Sequence, residues 1–70
     1  MFDNGQTVVH VKTDAEYIVL ETPDDKHRLE HSNERYYSYC PADDRWSIHK
    51  TVWVRCEKEM EDGRFILAIK

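Results

Sequence analysis

The side chains with the widest chemistry in this 70-residue chain are its four histidines and two cysteines, and zinc binding is the chemistry they would do. His27-x-x-x-His31 has the spacing that sets two imidazoles on one helical face, but two ligands do not complete a tetrahedral site. His10, His49, Cys40 and Cys56 show no paired spacing that would supply the rest, so no metal is expected and the histidines read as solvated or hydrogen-bonded. Without a Cys-x-x-Cys motif, Cys40 and Cys56 read as free, buried thiols. The acids Asp24/Asp25, Asp43/Asp44 and the run Glu57, Glu59, Glu61 and Asp62 have the chemistry of a general acid and base or of a divalent-ion site. No nucleophile stands out beside them, Gly5 and Gly63 are the only glycines, and the residue order of an EF-hand is missing. The acids therefore read as a charged, solvated face, with no catalytic residue, no enzyme and no cofactor expected.

The aromatic and arginine residues carry a stronger signal. Tyr36, Tyr37, Tyr39, Trp46 and Trp53 exceed what one inner face of a small β-domain can hide, and tryptophan, tyrosine and arginine dominate interface hot spots. One reading makes them a second small core, with Trp46 folded over the domain and a tyrosine filling its mouth. The other makes Tyr37, Trp53, Arg55 and Arg64 a partner-binding groove. Arg55 and Arg64 flank one proposed chain reversal, where they pair with Glu57, Glu59 or Asp62 or else grip a carboxylate or phosphate.

The elements that must position these residues are strands. Thr7 to Lys12 and Glu16 to Thr22 are β-rich runs separated by Thr13-Asp14-Ala15, which predicts a hairpin with a three-residue loop. Pro23-Asp24-Asp25 stops the second strand, and His27 to Glu30 is a shorter run that could pair next. Arg35 to Cys40 packs three tyrosines into a strand ended by Pro41. Ala42 to Lys50 reads as an excursion whose Trp46 and Ile48 pack back on the sheet. Thr51 to Cys56 and Arg64 to Ile69 read as paired strands, joined through one helical turn at Glu57 to Met60 and a reversal at Asp62-Gly63. Both alternating faces of these strands are partly apolar, so the outer face is covered by the excursion or by another molecule. The expected fold is all-β: a strongly bent, five- to six-stranded antiparallel SH3-like barrel with at most one short helical turn, formed by residues 1–70 as a single domain.

Composition bounds the partners. Fourteen acidic against ten basic residues give a net charge of −4, which repels a phosphate backbone at long range. The amino terminus lacks the basic start and apolar run of a secretory signal, and no stretch approaches the ~20 apolar residues of a membrane span, so a cytoplasmic location away from membranes is expected. A domain this short buries only about 60% of its unfolded surface, which favours a staple or a partner, including a second copy of itself.

Val8-x-His10-x-Lys12-Thr13, Tyr17-x-Val19-Leu20, Val52-Trp53-Val54-Arg55 and Asp62-Gly63-Arg64-Phe65 together resemble the small SH3-like domains of unknown function found in phages and prophages. The resemblance covers nearly the whole chain and is most specific in its closing motif. Asp14-Ala15 departs from the pattern where a glycine turn is usual, and so does the insertion around Trp46 and His49. The resemblance implies a barrel, a phage or prophage origin and no established activity. Three functions are weighed on this basis. The first is a binding module that docks its aromatic and arginine surface on a host or viral protein. The second is an acidic nucleic-acid mimic, built on Glu57, Glu59, Glu61 and Asp62, that inhibits a host defence complex. The third is a binder of small ligands or single-stranded nucleic acid, with tyrosines stacking on bases and Arg35, Arg45 or Arg55 holding phosphates.

Overall fold

A computed structural model of the chain describes residues 1–68. Five antiparallel strands form one sheet: β1 (Thr7–His10), β2 (Ala15–Glu21), β3 (Tyr36–Pro41), β4 (Trp53–Cys56) and β5 (Phe65–Leu67), in the order β4-β3-β2-β1-β5. A 3₁₀ turn (Ala42–Asp44) follows β3, and a single helical turn, α1 (Glu57–Met60), lies between β4 and β5. Among these residues no helix is long and apolar enough to cross a membrane.

The β1–β2 hairpin forms as its β-branched runs predict, with Thr7 opposite Ile18 and His10 opposite Ala15. Its loop is one residue longer than expected and sits earlier, at residues 11–14. Asp14 takes φ 62° there and donates its N–H to the His10 carbonyl (2.7 Å), a left-handed conformation that aspartate tolerates better than most side chains. After Glu21 the chain leaves the sheet as Pro23 requires. The His27 to Glu30 run makes only isolated bridges, Asp24 with His27 and Arg28 with Arg35, rather than a strand. The helix that a His27/His31 ligand pair needs is therefore missing from that segment.

The largest difference from expectation concerns the last two strands. β4 and β5 do not pair with each other: β4 lies against β3 at one edge and β5 against β1 at the other. The sheet is thus an open one and not a barrel closed by a β4–β5 ladder. Residues 57–64 act as a crossover between edges, with Gly63 at φ +104° supplying the positive φ that the Asp-Gly pair announces. The last strand is also shorter than the run from Arg64 to Ile69, and Ile69 lies outside the described residues.

In a flat sheet the two edges would stand four strand spacings, about 19 Å, apart. Instead the Arg55 guanidinium of β4 lies 5.5 Å over the Phe65 ring of β5, so the sheet is strongly curled. The curl encloses the face made of Val8, Val19, Tyr37, Tyr39 and Phe65, which Phe2 and Met60 close off into one core. Met60 comes from α1, and like Tyr37 it is fully buried, a contribution of about 1.5–3 kcal/mol for a large apolar side chain. The second face carries Ile18 and Cys40, both buried, with Val54 and Ile66 exposed toward the edges. The excursion does not cover that face: Trp46 and Ile48 are 87% and 91% exposed, and Trp46 meets instead the Arg45 guanidinium 5.0 Å from its ring.

The cysteines are free and buried, as expected. Cys40 lies opposite Ile18 and Cys56 opposite Tyr36, which places them four residues apart along β3, or roughly 13 Å, well beyond disulfide reach.

Candidate binding cleft

Strand alternation puts Trp53 and Arg55 on the concave face of β4, because Trp53 pairs with Tyr39 and Arg55 with Tyr37 across the ladder to β3. The same register carries Tyr17 of β2 and, through His10, Phe65 of β5 to that face. The rings meet edge to face: Tyr17 with Tyr39 (5.2 Å between centroids), Tyr17 with Trp53 (5.5 Å), Tyr39 with Phe65 (5.6 Å) and His10 with Phe65 (4.9 Å). Positive ring edges against negative faces fix such pairs and add about 0.5–1.5 kcal/mol each beyond area burial. Tyr39 and Phe65 are sealed inside this cluster, whereas Trp53 stays 42% exposed at its rim. An open recess of ≈390 Å³ runs over these rings.

A second recess of ≈620 Å³ adjoins it and shares His10 and Arg55 as walls. Its floor and rim come from the β1–β2 loop, with Lys12, and from the loop after α1, with Asp62, Gly63 and Arg64. The Val11 N–H donates to the Arg64 carbonyl (2.9 Å) and ties the two loops together. Arg55 and Arg64 converge there on one oxygen, Glu59 Oε1, at 3.1 and 2.6 Å. Arg55 Nε also donates to the Tyr39 hydroxyl (3.4 Å), and that bond together with Glu59 strengthens its hold on its proton. The Cys56 thiol donates to the other Glu59 oxygen (3.4 Å), and this bond and the two guanidiniums hold the Glu59 carboxyl below its ordinary range. Arg64 Nε completes the cluster at Asp62 (3.1 Å).

Three of the four residues expected to bind a partner, Trp53, Arg55 and Arg64, are therefore brought together. Tyr37 is not among them. It is fully buried in the core, where its hydroxyl accepts the Phe2 N–H (3.1 Å) and donates to Glu61 Oε2 (2.5 Å). Burial first, then the Glu61 carboxylate, pushes its pKa up to about 12. Tyr37 shares the concave face with its cross-strand partner Arg55, but Phe2 and Met60 close over it, so it is sealed into the core instead of lining the cleft. The acids expected to form one charged surface are divided as well. Glu57 takes a bidentate grip from Arg35 Nε and Nη2 (3.1 and 2.8 Å), Glu61 takes the Tyr37 hydroxyl, Glu59 is shared by two arginines and Asp62 pairs with Arg64.

Tyr17, Tyr39, Phe65, His10 and Lys12 also belong to the cleft, although sequence reasoning did not place them in the binding set. Cross-strand register was the signal for them: once β1 pairs with both β2 and β5, His10 and Tyr17 must share a face with Phe65. Among the described residues, no group of three or more His, Cys, Asp and Glu side chains converges as a metal site would require. No protein-family model matches the chain, and no curated protein or solved structure does either.

Proposed function

We propose that the chain is a non-enzymatic binding module that docks a segment of another protein in the cleft between Trp53 and Arg64. A single observation carries this reading: Trp53 stands 42% exposed at the rim of a ring cluster whose Tyr39 and Phe65 are buried, directly beside Arg55. A large ring half out of water, backed by rigid neighbours and flanked by guanidiniums, has the composition of an interface anchor. The meander order with β5 beside β1, and the helical turn before the last strand, support an SH3-like fold within the all-β class. The sequence motifs support a phage or prophage accessory role, with a host or viral protein as partner.

The mimicry reading has less support, since Glu57, Glu59, Glu61 and Asp62 are each engaged within the chain and their charges are spread around α1 rather than aligned. Base stacking has less support as well, because the cleft rings pack edge-on against one another and leave Trp53 as the ring most open to a ligand.

The test begins with affinity capture from an infected bacterial lysate and identification of the captured protein. Calorimetry with that purified partner then compares the native chain with Trp53→Ala, each checked for an intact fold by its melting transition. Loss of affinity in the variant supports the cleft, and unchanged affinity removes it.

A further inference from the structure

We infer that the occupant of this cleft is an acidic segment of a partner protein, in which a side-chain carboxylate replaces Glu59 on Arg55 and Arg64 while a neighbouring apolar residue packs on Trp53. The inference rests on the reading of the cleft as a binding site and deepens it. Charge is the first argument. On a chain of net charge −4, the walls of the ≈620 Å³ recess present Lys12, Arg55 and Arg64 against Asp62, with the Glu59 carboxylate behind the two arginines, so cations outnumber acids there by one and by two once Glu59 is displaced. Such a local reversal of sign attracts an anionic group and orients it.

Incomplete pairing is the second argument. Arg35 engages all three of its guanidinium nitrogens: Nε and Nη2 on Glu57, and Nη1 on Asp25. Arg55 engages only Nε and Nη1, and Arg64 only Nη1 and Nε, so the Nη2 donors of both remain open among the described residues. Two guanidiniums meet on one carboxylate oxygen, which leaves them short of the bidentate geometry that guanidinium and carboxylate prefer. A second carboxylate relieves that shortage. To make way, Glu59 releases the two guanidiniums and the Cys56 thiol, and its side chain, 43% exposed, has solvent to turn into.

The geometry also sets the spacing of the ligand. Arg55 follows Trp53 by two residues on the same strand face, about 7 Å along the strand. Adjacent side chains of an extended segment lie on opposite faces, so the acid and the apolar residue should stand at i and i+2.

The probe is a capped peptide, Gly-Glu-Gly-Leu-Gly-Glu-Gly-Leu, titrated into the ¹⁵N-labelled full chain at low salt. A glutamine-for-glutamate version and a short single-stranded DNA serve as the other arms. Expected are shifts at the Trp53 indole and the Arg55 and Arg64 side chains, at least about tenfold weaker binding of the glutamine peptide, and binding that weakens as salt is added. Glu59→Gln should tighten the acidic peptide about threefold or more by releasing both guanidiniums, whereas Arg35→Met should leave it unchanged. Equal binding of both peptides, no binding at millimolar concentration, no gain in Glu59→Gln, or preference for the DNA would overturn the inference. If the captured partner still depends on Trp53 while charge changes at residues 55, 59 and 64 have no effect, the binding module stands and its acidic ligand falls.

Discussion

The two sides of α1 carry the same chemistry to opposite ends. Glu57 and Glu61, one turn apart, are tied to β3 and to the residue before it: Arg35 grips Glu57 with two nitrogens, and the buried Tyr37 hydroxyl donates to Glu61. Glu59, between them in sequence, faces the cleft and is divided between Arg55 and Arg64, which retain unused donors. The difference teaches that an acid–base pair reveals its role through how completely it is satisfied. A guanidinium with all three nitrogens engaged, and a buried hydroxyl bonded on both sides, pin α1 to the sheet where Met60 closes the core. An underpaired contact beside a half-exposed tryptophan has capacity left for a ligand.

The comparison breaks most readily at Trp53. Replacing it with alanine should weaken partner binding roughly 30-fold or more, the effect of losing a hot-spot anchor, while the melting temperature falls by several degrees with the loss of its ring contacts to Tyr17 and Tyr39 and the fold stays intact. Calorimetry against the captured partner, paired with thermal unfolding, checks both halves of that expectation.

On the sealed side, Tyr37→Phe should cost about 1–2 kcal/mol of stability, because the Phe2 N–H loses its acceptor and Glu61 its donor. A domain this small should then melt roughly 4–8 °C lower for each kcal/mol. The same hydroxyl sets an alkaline limit. Its pKa is raised from 10.0 to about 12, so its neutral form contributes stability that is complete below pH 10 and lost as pH rises through 12. Urea unfolding from pH 9 to 12 should show a steeper decline in the native chain than in Tyr37→Phe.

Arg35→Met sharpens the contrast from the other direction. It should lower the melting temperature by a few degrees, since Glu57 loses its bidentate partner and the β3–α1 junction loosens, yet leave affinity for the partner unaltered. The smallest effect is acidic. Glu59 titrates below its ordinary 4.5, so the contribution of its cluster is present above that value and fades as pH falls through the lowered one. Acid unfolding of Glu59→Gln, followed by tryptophan fluorescence, should lack this component.

Much of the fold was legible because side-chain alternation and turn residues act locally. The β1–β2 hairpin, the tyrosine strand ended at Pro41, the Glu57 to Met60 turn and the Gly63 reversal all follow from such preferences. The pairing of β4 with β5 was misjudged because adjacency in sequence favours a hairpin, whereas here the helical turn carries the chain across the open end of a curled sheet. The site was partly legible. Trp53, Arg55 and Arg64 announce themselves by residue type, but Tyr37 and Tyr36 are neighbours of the same type on opposite faces, and only the register with β4 and the burial of Phe2 decide which turns inward. Trp46 was expected to cover the sheet, and its exposure reflects a polar excursion with too few apolar residues to anchor it.

The most direct measurement compares the partner affinity of two single variants, Trp53→Ala and Tyr37→Phe, under conditions where both are folded. The account predicts that Trp53→Ala loses most of its affinity while Tyr37→Phe, though less stable, binds as the native chain does. A Tyr37→Phe variant that loses binding beside a Trp53→Ala variant that keeps it would contradict the division between a sealed core and an open cleft.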